Sequence, residues 1–97
     1  MANFESASHK EIIESVHKNI STLNNEIIPM LKHKKAFSLA QMEMVAGVFF
    51  NSGACLNYLV GVTNCRTASK QEKTEAHVLC YNLENLCEEA LDLMNDK

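Results

Sequence analysis

Glu14-Ser15-Val16-His17 is an E-x-x-H string, the unit that carboxylate di-metal bundles repeat on two helices. Such ligands must point into a core. At about 100° per residue Glu14 falls opposite the stripe of Ile12, Val16 and Ile20, and His17 lies at its flank. The chain holds no second E-x-x-H, although a dimer would supply one by symmetry. The string therefore reads as a solvated helix face, and neither a metal nor another cofactor is expected. Cys80 and Cys87 stand seven residues apart, roughly 10 Å along a helix, too far for one zinc ion or one disulfide. Cys55 and Cys65 are separated by nine residues, a spacing known from oxidised helical hairpins, but the matching second pair is missing. All four are expected to be reduced thiols, mostly buried as small apolar groups, with Cys65 beside Arg66 in a loop the most exposed.

Lys32-His33-Lys34-Lys35 is the one dense basic cluster. It precedes a helix N-terminus, where free N–H groups also favour anions, so Lys32, His33, Lys34 and Lys35 are the candidate residues for a nucleotide, a phosphate or an acidic protein surface. With four charges and no glycine-rich loop, a solvated connection is the better reading. Val45-Ala46-Gly47-Val48 resembles the turn of a helix-turn-helix. The residues after it, Val48-Phe49-Phe50, are apolar where a recognition helix needs polar and basic side chains. No Ser-His-Asp set, P-loop or dinucleotide fingerprint is present, so no enzyme is expected.

The elements that would carry these residues are helices. Ser8 with Glu11, Ser38 with Gln41 and Ser69 with Glu72 are three capping boxes. They predict an all-α protein, a three-helix antiparallel bundle over a single domain, residues 1–97, with helices at about 8–28, 38–62 and 69–95. Ile12, Val16, Ile20, Leu23 and Ile27 form the core stripe of the first. Pro29 lacks an N–H and crowds the Asn25 carbonyl, so a break or kink is expected near Asn24-Asn25, which would make four helices. The last helix carries an apolar stripe from Ala76 to Met94, with Val78 and Tyr81 outside it.

The middle helix is the informative one. From Ala36 to Cys65 a single charged side chain, Glu43, occurs in thirty residues. Met42, Val45, Val48, Phe49, Leu56, Leu59 and Val60 are expected to face the core, with Ser52 and Gly53 inside that stripe for close helix approach. Met44, Phe50, Ala54 and Tyr58 then fall outside it as surplus apolar surface, joined by Val78 and Tyr81 as a second contact patch. A net charge of −3 with 22% charged residues fits a folded protein and argues against a nucleic-acid binder. The N-terminus lacks the apolar region of a signal peptide, so a cytoplasmic protein is expected. Val45 to Val62 is eighteen uncharged residues, the lower limit for a membrane span, but Asn51, Ser52 and Asn57 disfavour insertion. The expected function is a small interaction or regulatory protein that completes its bundle as a homo-oligomer and binds, sequesters or inhibits a macromolecule. The alternative is an oligomeric binder of a small anion at the Lys32–Lys35 cluster.

Overall fold

A computed structural model describes residues 8–33 and 36–96, which form an all-α bundle with no strand among them. Helix α1 (His9–Thr22) passes through one π-helical turn (Leu23–Ile27) into α2 (Ile28–His33). Helices α3 (Leu39–Thr63) and α4 (Lys70–Asn95) follow, and the bundle measures 47 × 23 × 17 Å. Three rods therefore carry the fold, as the capping signatures predict.

Each rod starts where its serine says. The Ser8, Ser38 and Ser69 hydroxyls accept from the backbone N–H three residues on, at 3.2, 3.2 and 3.0 Å. Glu11, Gln41 and Glu72 accept in return from the three serine N–H groups, at 3.4, 2.9 and 2.8 Å. Two free donors are satisfied at every start.

The irregularity expected near Asn24-Asn25 is present there, as a widened π turn rather than a break into a separate helix. The chain keeps right-handed helical dihedrals at both ends of the π turn, and the Ile28 N–H bonds to the Leu23 carbonyl five residues back. Widening the turn accommodates a ring that would crowd the Asn25 carbonyl in a regular α-helix. The rod thus runs on to His33, five residues past the predicted end. The π turn also sets phase. Buried residues run from Ile12 to Leu31, a span of nineteen residues, whereas five α-helical turns hold eighteen. One wide turn absorbs the surplus residue and keeps Leu23, Ile27 and Leu31, all at most 1% exposed, on one line.

The core collects Val16, Leu23, Ile27 and Leu31 from the first rod, Val45, Cys55 and Leu59 from α3, and Ala76, Leu79, Leu83 and Ala90 from α4. Complete burial of each Leu or Ile contributes about 1.5–3 kcal/mol. On α4 the expected stripe holds to Ala90, but Leu91 and Met94 are 49% and 40% exposed because the end of the helix has less to pack against.

Candidate interaction surface

Helix α3 is turned differently from the expectation. Its buried residues are Val45, Ser52, Cys55, Leu59 and Val62, which centres the inward face roughly 60° around the axis from the predicted one. Met42 and Val60, expected inside, are 58% and 47% exposed. Gly53 lies on the solvent side, and a Cβ built there meets nothing within 4 Å. Close helix approach uses Ser52, as expected, with Cys55 in place of Gly53.

A buried polar link holds this orientation. Asn19 Nδ2 donates to Ser52 Oγ at 2.6 Å, and Ser52 Oγ donates to the Val48 carbonyl at 2.8 Å. Asn19 was not anticipated inside; Ile20, assigned to the stripe, is half-buried beside it. The Cys87 thiol also meets the Ser52 hydroxyl, and burial pushes both Cys55 and Cys87 up from the ordinary thiol value. At the other end of the rod, His9 Nδ1 lies 2.6 Å from the Tyr58 hydroxyl and His9 Nε2 lies 3.9 Å from Glu72 Oε2. This clasp ties the starts of α1 and α4 to the last turns of α3.

The outward side of α3 is a seam that no other described element covers. Leu39, Glu43, Ala46, Phe50, Gly53, Asn57 and Val60 are all exposed, and they recur in alternating steps of four and three. That alternation is the heptad spacing by which one helix meets another. Glu43 is its only charge. Of the residues predicted to form the contact, Phe50 is 61% exposed and sits mid-seam. Met44 is 42% exposed but projects from the helix flank, and Ala54 and Tyr58 are half-buried on that same flank, between the seam and the core. Tyr58 is already engaged with His9. Val78 and Tyr81, 54% and 68% exposed, lie on α4, a separate helix. Periodicity assigns Gly53 and Val60 to the core, from which the rotated inward face of α3 removes them, and assigns Leu39, Glu43, Ala46 and Asn57 to no face; the 4–3 spacing from Leu39 to Val60 was the signal available.

Two clefts flank α3. One of about 450 Å³ is almost wholly apolar, lined by Leu31, Phe37, Met42, Val45, Ala46, Phe49 and Met94. The other, about 280 Å³, is half polar and lies over the Asn19 link, with Ser15, Lys18 and Asn51 on its walls. Neither Lys32 nor His33 lines them. Lys32 Nζ stands 4.0 Å from Glu89 Oε1, His33 is exposed, and Lys34 and Lys35 lie outside the described residues. Glu14 and His17 are both exposed on α1, and no group of three metal-ligating side chains occurs among the described residues.

The thiols separate by environment. Cys65 Sγ lies 3.2 Å from Thr67 Oγ1, and that hydrogen bond, with the Thr67 and Ala68 N–H groups, draws its pKa down. Burial, reinforced by the Glu84 carboxylate that its Sγ meets at 3.1 Å, raises Cys80 to about 11. All four cysteines are free.

Comparison of the chain with protein-family models, with curated proteins and with solved structures gives no match. The functional reading therefore rests on the surface itself. By length and apolarity α3 is the one described helix that could also cross a membrane, with mean hydropathy 1.4 and a third of its window buried in the bundle.

Proposed function

We propose that this chain is a small helical interaction protein that self-associates through α3 and, so assembled, binds, sequesters or inhibits a macromolecular partner. One observation carries the reading: the seam from Leu39 to Val60 is exposed at all seven positions and holds a single charge. Contiguous apolar surface of that kind on a folded domain marks a contact site. The Asn19–Ser52 link supports it, since a buried polar pair holds the core side of α3 and leaves the seam outward. The apolar cleft and the exposed Val78 and Tyr81 supply separate surface for a partner, and the four free thiols suit a reducing cytoplasmic setting.

Light scattering on a size-exclusion column tests the first step. A mass of two or more chains at micromolar concentration, falling on dilution, is expected. A single-chain mass throughout would remove self-association from the proposal.

A further inference from the structure

We infer that two copies of this chain pair through α3 in antiparallel orientation, with Phe50 of each seated over Gly53 of the other. The inference rests on the proposed self-association and adds its geometry. Along a 4–3 seam, helices mesh by placing a large residue against a gap. Phe50 is the largest side chain of the seam and Gly53, three residues on, is its deepest gap. A two-fold axis passing between Asn51 and Ser52 sets each of these against the other. The same axis brings Ala46 level with the partner's Asn57 and Glu43 level with the partner's Val60. No large residue then meets a large one, and the seam is paired from Glu43 to Val60, with Leu39 level with the partner's Asn64 just past the end of α3.

Charge decides the direction. In a parallel pair the two Glu43 carboxylates would face each other across an otherwise apolar seam, as would the two Phe50 rings. In the antiparallel pair the carboxylates stand roughly 25 Å apart along the axis, at 1.5 Å per residue. That exceeds the screening length of about 8 Å at physiological salt.

The exposed large side chains supply over half of the area the task needs. Leu39, Met42, Phe50 and Val60 are 73%, 58%, 61% and 47% exposed. At about 200 Å² per large side chain they present roughly 450 Å² of apolar surface. The small residues between them bring backbone into contact and add to this. A stable interface needs about 800 Å² from each partner, within reach of a 25-residue helix lying along its twin.

Crosslinking reads the geometry directly. In a Cys65→Ser background, chains carrying Ala46→Cys are mixed with chains carrying Asn57→Cys and treated with a short thiol crosslinker. Peptide mapping is expected to find residue 46 joined to residue 57, with neither chain crosslinked to itself at the new position. A 46-to-46 bridge would mean a parallel pair and overturn the inference. A dimeric mass without the 46-to-57 bridge would also overturn it while leaving self-association standing. A single-chain mass at 100 μM, a concentration of about the order at which even weak pairing registers, would end both. Stable partition onto phosphatidylcholine vesicles would assign the seam to a bilayer and overturn the pairing.

A compensation pair gives an independent reading. Phe50→Ala is expected to weaken the dimer about tenfold or more, as loss of a central aromatic anchor does. Adding Gly53→Phe moves the bulk to the opposing position and should recover most of the loss. Circular dichroism confirms that each variant remains helical. Failure of the second change to recover pairing in a folded chain would contradict the seating of Phe50.

Discussion

Ser52 is 1% exposed, and its hydroxyl both accepts a hydrogen bond from Asn19 Nδ2 and donates one to the Val48 carbonyl. Removing it strands the Asn19 amide, a residue only 8% exposed. Ser52→Ala should therefore cost about 1–3 kcal/mol, the penalty for an unpaired buried polar group. Thermal unfolding would show this as a drop of roughly 4–8 °C per kcal/mol for a domain of this size. An unchanged midpoint would mean that water satisfies Asn19 as well as Ser52 does. The cysteines make a second comparison of neighbours. Cys65, drawn down by Thr67, should be alkylated by iodoacetamide at pH 7.5 well before Cys80, which stands near 11. Mass spectrometry of partly labelled protein gives the order, and early labelling of Cys80 would contradict the environments described.

Among the elements, legibility followed chemistry. The serine caps were readable because Ser8, Ser38 and Ser69 each carry their Glu or Gln partner three residues later. The stripes of α1 and α4 were largely readable because charged residues mark their outer faces. Helix α3 has no such mark. With apolar side chains on every side, its rotation is set by where Ser52 and Cys55 permit close approach to the neighbouring rods, a tertiary fact that periodicity does not encode. The exposed face was legible to the same extent: Phe50 was expected outside and is 61% exposed, whereas Gly53 and Val60 were assigned to the core and are exposed. Gly47 permits a test of the α3 environment on its own. It is exposed, and an added Cβ meets nothing, so Gly47→Ala should stabilise the protein by up to about 1 kcal/mol through helix propensity. A loss of stability in chemical unfolding would show that something does press on that side.

For the whole molecule, the balance of forces at the seam predicts how assembly responds to conditions. The proposed interface, built on Phe50, Ala46, Gly53 and Val60 with its two carboxylates far from each other, has little for salt to screen. Its dissociation constant should change less than about threefold between 50 and 500 mM sodium chloride. The thermal midpoint should rise with protein concentration, as it does wherever partners stabilise the folded form by mass action. Sedimentation at several salt concentrations checks the first expectation and scanning calorimetry the second. A steep salt dependence would instead point to the ion-bearing faces, such as the one where Lys32 meets Glu89.

The wide turn at Leu23–Ile27 gives this chain one residue more than its rod requires. Asn24 and Asn25 are both exposed there, so neither is committed to the interior. A shortened variant lacking Asn25, with Pro29→Ala to suit the tighter coil, would carry Leu31 back to the same seat by a regular path. The first rod thus tolerates loss of length at one address, while a deletion elsewhere along it would swing the buried row away from its neighbours.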